Sequence, residues 1–306
     1  MKILVLDVGG TAIKYAFMDE EGKFLRRGDV PTPHEGREEF LAAIASVAAM
    51  APAAGRANEP LDGAAVSLPG IIDYETGTLL MGGSLTYNNG FAMRDALKEL
   101  LHVPKVILEN DAKCAGAAEA ASGALSDVKD GVVLVFGTNI GGAIIRDRKV
   151  VHGAHSAAGE VTYIIPDGTV PAVENLWGER CGAPGLVQIY RDIAAGRGKE
   201  CDAADGKAFF AAYDAGDPEA KEALKEYARQ IAVQIFNLQT ILDPQRFAIG
   251  GGISARGELV EAIRTELEAL YSACLRPLPH AEVAVCKYRN DANLIGAWAI
   301  YRGILS

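Results

Sequence analysis

The sequence predicts an α/β protein built from two similar halves with a cleft between them. Three observations carry this prediction. A buried strand followed by a glycine-rich turn occurs twice, and each time further strands, a helix and another strand follow. The length of 306 residues suits two domains or one large one. No sequence repeat or low-complexity linker is visible, so the likeness of the halves lies in their element order.

The first half begins with a buried strand at residues 2–8, which ends at the turn Gly9-Gly10-Thr11. Phe40, Ile44 and Val47 share one stripe at helical spacing, which predicts a helix over 38–50. Asn110-Asp111 can cap a helix that runs to residue 122. The other elements predicted in this half are strands at 12–18, 24–30, 63–68 and 105–108, a hairpin and loop at 73–90, and a helix at 92–101.

The second half begins near Gly131 with a buried strand at Val132–Phe136, and the glycine turn Gly137–Gly142 follows it. A long helix over 218–242 is marked by Asp217 before a proline at its start and by Asp243-Pro244 at its end. The other predicted elements are strands at 143–146 and 247–249, a turn at 250–252, and helices at 257–271 and 291–303.

Composition excludes several classes of protein. The formal net charge of −10 argues against a general nucleic-acid binder, which needs a basic footprint. The hydrophobic fraction of 49% argues against disorder, and no apolar stretch is long enough to span a bilayer. Asp7 interrupts the N-terminal apolar run, so no signal peptide is expected. Five scattered cysteines fit a reducing compartment, so we expect a cytoplasmic protein. From the charge and the apolar stretches we expect neither nucleic-acid nor membrane partners.

Two glycine turns carry the first chemical hypothesis. In Asp7–Thr11 a strand ends in an acid, and two glycines let the backbone N–H groups approach an anion such as phosphate. Gly137–Gly142 again follows a buried strand, with Thr138 supplying a hydroxyl. Each turn alone can be an ordinary connection, but two in matched contexts indicate one polyphosphate ligand. Neither contains a Walker A lysine, and neither leads directly into a long helix as a Rossmann turn does.

Three further segments are candidates for the same site. Asn110-Asp111 is either a plain helix cap or a cap whose carboxylate accepts a proton from a substrate hydroxyl. Gly250–Gly252 is either a flexible connection or an open backbone surface against which a planar base can lie. Glu160, within Ala158–Tyr163, can accept hydrogen bonds from sugar hydroxyls. His152 and His155 lack a clear third ligand and are interpreted as loop histidines.

Taken together and in this order, these motifs resemble the ROK family of sugar kinases and repressors, and among its members the bacterial glucokinases, fructokinases and N-acetylmannosamine kinases. The wider fold of that family is the two-domain ATPase fold of actin, hexokinase and Hsp70, with a central cleft. The resemblance covers nearly the whole chain. The segments that carry it are Asp7–Thr11, Leu68–Asp73, Asn110–Ala112, Gly137–Ile144, Gly153–Glu160, Leu242–Pro244, Gly250–Ser254 and Asp291–Gly296.

The resemblance implies an ATP- and Mg²⁺-dependent transfer of the γ-phosphate to a sugar hydroxyl, by default the 6-OH of a hexose. Asp111 would be the general base, and Asp7 would organise Mg²⁺ directly or through water. The implied cofactor-binding residues are Asp7, Gly9, Gly10, Thr11, Lys14, Gly137, Thr138, Gly250, Gly251 and Gly252. The implied substrate-binding residues are Gly70, Asn110, Asp111, Glu160, Tyr163 and Gln188. The implied domains are 1–113 with 291–306, which binds sugar and phosphate, and 114–290, which binds the nucleotide.

The sequence departs from the family pattern beside the sugar site. Many members carry a histidine and three cysteines that bind a structural zinc. Here Thr162-Tyr163 stands where Gly-His is expected, and Glu179, Cys181 and Leu186 occupy the cysteine places. A tetrahedral site needs four ligands, so no structural zinc is expected. Gln188 replaces a sugar-binding glutamate, which leads to the hypothesis of an altered acceptor such as a β-glucoside, with an N-acetylhexosamine as a further alternative.

Two non-enzymatic alternatives stay open at this point. A sugar-sensing repressor of the family would carry an N-terminal helix-turn-helix domain, whereas here the first strand begins at Lys2. A non-catalytic sugar sensor is compatible with the changes at Tyr163 and Gln188, but both glycine turns and both aspartates argue against it. Sugar-dependent ADP formation separates these alternatives from a kinase. Members of the family are often homodimers, and the sequence gives no independent argument for an interface.

Overall fold

The computed structural model describes residues 1–52, 60–166, 173–274 and 276–305. Contacts between residues divide the chain into two compact units. Unit 1 contains Met1–Ser126, Ala143–Gly159 and Asn290–Ser306, and unit 2 contains Asp127–Gly142 and Glu160–Arg289. The predicted domains were defined by the ligand that each part of the chain binds, and the division into two units does not test ligand binding. The predicted domains therefore stay a prediction.

The elements of the described residues are numbered in chain order. The strands are β1 (Ile3–Val8), β2 (Ala12–Met18), β3 (Phe24–Pro31), β4 (Gly63–Leu68), β5 (Ile71–Ile72), β6 (Leu79–Met81), β7 (Val106–Asn110), β8 (Gly131–Phe136), β9 (Ile140–Arg146), β10 (Lys149–Val150), β11 (Arg246–Gly250) and β12 (Glu282–Val285). The helices are α1 (Arg37–Ala48), α2 (Met93–Leu101), α3 (Asp111–Ser122), α4 (Trp177–Cys181), α5 (Ala183–Gly196), α6 (Gly206–Asp214), α7 (Pro218–Leu242), α8 (Gly257–Ala273) and α9 (Ala292–Tyr301). Among the described residues, no helix is both long and apolar enough to cross a bilayer.

The main sheet of unit 1 has the strand order β3-β2-β1-β4-β7. β1 pairs antiparallel with β2, and β2 pairs antiparallel with β3. β1 is parallel to β4, and β4 is parallel to β7, so their carboxyl ends lie at the same edge of the sheet. The register places Asp7 opposite Ser67 and Ser67 opposite Glu109. This edge therefore brings polar residues from three neighbouring strands into one row.

Both faces of this sheet are covered. Leu4 and Leu6 of β1 point to a core that includes Phe40 of α1 and Leu97 of α2. The alternate residues of β1 point to a second core, which α3 and α9 share with the sheet; it contains Ile3, Val5, Ala65, Cys114, Leu294 and Ala297. A strand that is buried on both faces is apolar at nearly every position, which explains why Asp7 is the one polar residue of β1.

The second sheet has the order β10-β9-β8-β11-β12. β11 is parallel to both β8 and β12, and β10 pairs antiparallel with β9. Strand by strand, this is the order of the first sheet, so the prediction of one element pattern used twice is confirmed. The predicted turn Gly137–Gly142 is wrong in its extent, because β9 begins at Ile140. Its last two glycines lie within that strand, and the turn is confined to Gly137–Asn139.

The core of unit 2 is built around α7. The side chain of Asp217 accepts a hydrogen bond from the backbone N–H of Ala220 at 2.9 Å, which caps this helix as the sequence predicts. Leu224, Tyr227 and Ile231 are buried on its inner face. α4, α5, α6 and β12 had no counterpart in the sequence prediction, although α5 and α6 both pack against α7.

A buried acid anchors the start of α7. The side chain of Glu219 is 3% exposed, and its Oε1 atom lies 2.8 Å from Lys199 Nζ and 3.0 Å from Arg197 Nη1. The hydrogen bond from Lys199, and then that from Arg197, lowers the pKa of Glu219 from 4.5 to about 2. Since the folded pKa lies below the unfolded one, the stabilisation is fully present above pH 4.5 and is lost as the pH falls towards 2.

Glu219→Gln is expected to flatten the acid side of the stability profile. The free energy of unfolding of the unaltered protein should fall more steeply between pH 5 and pH 3 than that of the variant, because only the carboxylate must take up a proton. Urea titrations at several pH values measure both slopes. Glu222→Gln is the matched control, since Glu222 pairs with Arg197 at a half-exposed position. Equal slopes in the Glu219 variant and the unaltered protein would contradict the assignment.

Candidate functional site

Asp7 lies near the carboxyl end of β1 and is almost fully buried. Its Oδ1 atom accepts hydrogen bonds from Ser67 Oγ at 3.2 Å and from Asn293 Nδ2 at 2.9 Å. Its Oδ2 atom lies 3.4 Å from Lys14 Nζ. A buried carboxylate is stable only when donors or cations compensate its charge, and these three partners do so. The structure thus brings the predicted residues Asp7 and Lys14 together and adds Ser67 and Asn293.

The first glycine turn, Gly9–Thr11, is fixed by its own backbone and by one threonine. The N–H of Gly9 donates to the carbonyl of Ala12 at 3.0 Å. Thr32 donates to this turn twice, from its Oγ1 to Gly9 O at 2.7 Å and from its N–H to Thr11 O at 3.0 Å. Thr11 itself is exposed. The turn is therefore held from behind while its outer side remains available to a ligand.

Ser84 is a neighbour of this turn that sequence reasoning missed. A Cβ atom on Gly10 would lie 3.2 Å from Ser84 Oγ, which places the hydroxyl directly against the turn. Ser84 lies in the segment 73–90, for which the sequence predicted only a hairpin and loop. No motif marked the serine, because its position depends on how that loop folds back.

Asn110 caps α3, as one of the two interpretations predicted. Its Oδ1 atom accepts a hydrogen bond from the backbone N–H of Lys113 at 3.1 Å. Its Nδ2 atom donates to the carbonyl of Gly70 at 2.9 Å, so the cap also joins the loop after β4. Gly70 has a φ of 95°, and a Cβ there would collide with the carbonyl oxygen of Met81, so only glycine fits.

Asp111 is the first residue of α3 and is partly exposed. Its Oδ1 atom accepts a hydrogen bond from the N–H of Ala112 at 2.8 Å. The partial positive charge at a helix N-terminus stabilises a carboxylate at this place. A hydrogen bond therefore joins the predicted residues Gly70 and Asn110 at the carboxyl ends of β4 and β7, and Asp111 follows Asn110 directly.

The second glycine turn, Gly137–Asn139, belongs to unit 2 and lies at the start of α5. The N–H of Ala183 donates to Gly137 O at 2.7 Å, and the N–H of Gly137 donates to Asn139 O at 2.9 Å. With the Asn139 amide oriented so that its nitrogen faces acceptors, Nδ2 donates to Glu179 Oε1 and Gly178 O, both at 3.2 Å. Thr138 is exposed at the tip. The turn is thus anchored at both ends on α4 and α5.

A cavity of about 660 Å³ in unit 2 brings the two predicted glycine segments together, since both Gly137 and Gly252 line it. Gly251, between β11 and the cavity wall, has a φ of 90°, and a Cβ there would collide with the carbonyl oxygen of Phe136. The volume is in the range typical of sites for small organic ligands. The other lining residues are Phe136, Ala183, Asp205, Gly206, Lys207, Phe210, Ala211, Asp214, Ile253, Ala255 and Arg256.

One wall of this cavity has a flat polar surface that the sequence did not predict. The guanidinium carbon of Arg256 lies 4.4 Å from the centre of the Phe210 ring. Asp214 holds the same guanidinium in a two-point ion pair, with N–O distances of 3.1 and 2.5 Å. The hydrogen bond from Arg256 lowers the pKa of Asp214, so the pair stays charged at neutral pH. Phe210 and Asp214 belong to α6, a helix without a recognised sequence pattern.

Three predicted substrate-binding residues lie elsewhere in unit 2. Glu160 precedes a short 3₁₀ helix, Val161–Tyr163, and is partly exposed. Tyr163 is 51% exposed. Gln188 is exposed on α5 and donates from Nε2 to Asp192 Oδ1 at 2.8 Å. Within the described residues, these three side chains are not among those that line the 660 Å³ cavity.

A family model described as "ROK family" matches residues 3–304. The chain belongs to the ROK family. It is 33% identical over 301 residues to a β-glucoside kinase of Klebsiella pneumoniae, covering 97% of this chain and 95% of the relative. This ROK-family chain is accordingly a sugar kinase, an ATP:sugar phosphotransferase.

Solved structures agree with the fold of actin- and hexokinase-type ATPases that the sequence predicted. A ROK family protein from Streptococcus pneumoniae in complex with sucrose superposes with a TM-score of 0.84 at 28% identity, covering 98% of each chain. A ROK family glucokinase from Streptomyces griseus in complex with glucose and AMPPNP gives 0.77 at 26% identity, covering 98% of this chain and 99% of that one. The predicted fold class is confirmed.

The residues at the positions of the family's zinc-binding cysteines make contacts other than metal binding. Cys181 is buried, its Sγ donates to Gln230 Oε1 at 3.3 Å, and burial raises the pKa of its thiol to about 12. Glu179 accepts from the Asn139 amide, and Leu186 is part of the apolar core. Over the described parts of the chain, no group of three or more His, Cys, Asp or Glu side chains is arranged to hold a metal ion.

Metal analysis of chelator-washed protein is expected to find far less than one zinc per chain. The physical reason is that one thiol of the four ligands remains, and it is protonated at neutral pH. Inductively coupled plasma mass spectrometry on the washed protein measures the zinc content. Cys181→Ser provides the control, and stoichiometric zinc that this variant loses would show that the ligand positions are misassigned.

Proposed function

We propose that this kinase transfers the γ-phosphoryl group of Mg-ATP to the 6-OH of a hexose or hexose derivative, with Asp111 as the general base. The observation that carries the proposal is the group of Asp7, Gly70, Asn110 and Asp111 at the carboxyl ends of three neighbouring parallel strands. That edge is where open α/β sheets bind their ligands. Asp111 combines partial exposure with a position at a helix N-terminus.

The proposed chemistry requires little from the protein beyond positioning and charge. The acceptor oxygen attacks the γ-phosphorus, its proton passes to the Asp111 carboxylate, and the bond to the bridging β,γ-oxygen breaks to release ADP. Asn110, held by Gly70 and by the backbone of α3, would orient the acceptor through its own hydrogen bonds. Glu160 and Gln188 would contact the other sugar hydroxyls, and Tyr163 would face a group attached to the sugar.

The nucleotide would be bound by the two glycine turns and the cavity of unit 2. The backbone N–H of Gly10, with Thr11, Thr138 and Lys14, would hold phosphate oxygens, and Gly9 and Gly137, which lack side chains, would let the phosphates approach the turns closely. The adenine would lie against Gly250–Gly252, where the cavity offers the Phe210 ring and the Arg256 guanidinium. An aromatic ring and a guanidinium group are both surfaces on which a base stacks favourably.

The side chain of Asp7 is suited to bind Mg²⁺. Its oxygens are hard donors, and its Oδ2 atom lies 3.4 Å from Lys14 Nζ. The donors Ser67, which is buried, and Asn293 both act on Oδ1, so they fix the direction of the carboxylate. Mg²⁺ held here, directly or through water, would supply the charge neutralisation that phosphoryl transfer needs.

A β-glucoside is the acceptor that specific observations favour. Thr162-Tyr163 replaces the Gly-His of zinc-containing relatives, and Tyr163 is exposed enough to pack against a second ring. A relative of Klebsiella pneumoniae is named a β-glucoside kinase, and a ROK structure holds the disaccharide sucrose. In this proposal the 6-OH of the glucosyl unit reacts while the attached group lies towards Tyr163.

Cellobiose and aryl β-glucosides are expected to exceed glucose in kcat/KM by at least about tenfold, which corresponds to about 1.4 kcal/mol of additional transition-state binding. An ADP-coupled assay over these sugars, mannose, N-acetylmannosamine and N-acetylglucosamine measures the ratio, and ³¹P NMR of the product identifies the hydroxyl. Tyr163→Ala should reduce the preference and leave the rate on glucose nearly unchanged. If glucose exceeds the β-glucosides by orders of magnitude, the β-glucoside proposal fails and the kinase proposal stands.

A further inference from the structure

Glu109 is a buried acid next to the catalytic segment, with no role in the proposed chemistry. It is 4% exposed and is followed directly by Asn110 at the end of β7. Its Oε1 atom accepts the backbone N–H of Asn110 at 2.9 Å. Its Oε2 atom lies 2.6 Å from His152 Nε2, so a proton must lie between these two atoms. Both oxygens of the carboxylate are thus engaged at the junction between β7 and α3.

His152 is itself fixed by the segment that contains it. Its ring stacks on Tyr74, with ring centres 3.9 Å apart and planes inclined by 24°. The N–H of Ala158 donates to His152 O at 3.0 Å, which closes residues 152–158 into a loop. Ser156 of that loop accepts the backbone N–H of Tyr74 at 3.1 Å, and its carbonyl lies 3.5 Å from Lys113 Nζ. The loop is therefore attached to the rest of unit 1 at several points besides Glu109.

The side chains of Glu109 and His152 border a small cavity. A cavity of about 290 Å³ borders both side chains, and its remaining walls are formed mainly by Val150, Ile300 and the chain near Leu305. Lys149 also lines it. Removing the imidazole would open the buried carboxylate to this space. The carboxylate would then be free to turn away from the N–H of Asn110.

We infer that His152 is a positioning residue for Asp111, acting through Glu109. The imidazole orients the carboxylate, the carboxylate holds the Asn110 N–H, and the backbone at Asn110 sets the direction from which Asp111 meets the acceptor hydroxyl. This inference rests on the proposed role of Asp111. A displacement of about 1 Å at a catalytic group can cost about a hundredfold in rate, so a link outside the site can control turnover.

Two substitutions separate the hydrogen bond from the ring packing. His152→Phe keeps a ring that can stack on Tyr74 and removes the donor. His152→Gln keeps an N–H donor near the position of Nε2 and removes the ring. We expect His152→Phe to lower kcat about 10- to 100-fold, as loss of a hydrogen bond to a charged group does, with KM for ATP within about twofold. We expect His152→Gln to retain most of kcat.

Hydrogen–deuterium exchange of the amides at 109–113 provides a readout that does not depend on turnover. His152→Phe should accelerate exchange there, whereas His152→Gln should not. Equal kcat for the two variants, loss of kcat in the Gln variant alone, or unchanged exchange in the Phe variant would each overturn the inference. If the unaltered protein shows no sugar-dependent ADP release but the exchange differs as expected, the proposed function fails, and the link from His152 to the α3 junction is retained.

Discussion

Asp111→Asn is expected to lower kcat for sugar phosphorylation by about 10²- to 10⁴-fold, the usual contribution of a general base. The amide keeps an oxygen that can accept the N–H of Ala112, so the start of α3 should be preserved. It cannot take the proton of the acceptor hydroxyl at neutral pH. Steady-state kinetics with saturating Mg-ATP and the preferred sugar measure the loss, and KM for ATP should change little.

The control for this variant is Asp29→Asn, which removes an equal charge from an exposed position on β3. Its kcat should equal that of the unaltered protein. The melting temperatures of the two variants should lie close together, since neither position is in a core. A near-normal kcat in Asp111→Asn would remove this aspartate from the role of base, whatever the rest of the site does.

Gly251→Ala is expected to damage the nucleotide cavity and the fold around it. With φ at 90°, an alanine is strained by about 1–3 kcal/mol, and its Cβ would also collide with the Phe136 carbonyl at the end of β8. We expect the free energy of unfolding to fall by at least that amount. The Kd for ATP should rise about tenfold or more, because Gly252 and Phe136 line the cavity.

Gly257→Ala is the matched control, because a Cβ at that position meets no atom within 4 Å and the residue is the first of α8. Its stability should be unchanged or increased, since alanine is favoured over glycine in a helix by up to about 1 kcal/mol. Urea titration and isothermal calorimetry with ATP measure both variants. Equal behaviour of the two alanine variants would contradict the structural role of Gly251.

The sequence predicted the elements whose local pattern was strong. β1, apart from Asp7, and β8 are apolar runs followed by glycine. α7 has both a cap at Asp217 and a buried stripe that ends before Asp243-Pro244. Asn110 was recognised as a cap because a polar residue separated a strand from a helical stretch. In each case the determining interaction lies within a few residues, where a sequence pattern can show it.

The missed features depend on residues far apart in the chain. The cap and first residues of α5 are Gly182-Ala183-Pro184-Gly185, which resemble a turn, and no helix was predicted there. The Phe210–Arg256 contact joins positions 46 residues apart, and the Glu109–His152 pair joins positions 43 residues apart. Neither has a local signature, since a single arginine or histidine in a loop has many ordinary explanations. Such contacts follow from sheet topology and packing, which determine the neighbours of each segment.

The central claim is that this chain forms ADP from Mg-ATP only in the presence of a sugar acceptor and through Asp111. An ADP-release assay with glucose, mannose, fructose, allose, N-acetylmannosamine, N-acetylglucosamine and several β-glucosides tests it, with Asp111→Asn in parallel. The account predicts strong turnover on at least one sugar and its loss in the variant. Sugar and ATP binding by calorimetry, without sugar-dependent ADP release from any of these acceptors, would contradict the account and indicate a sugar sensor.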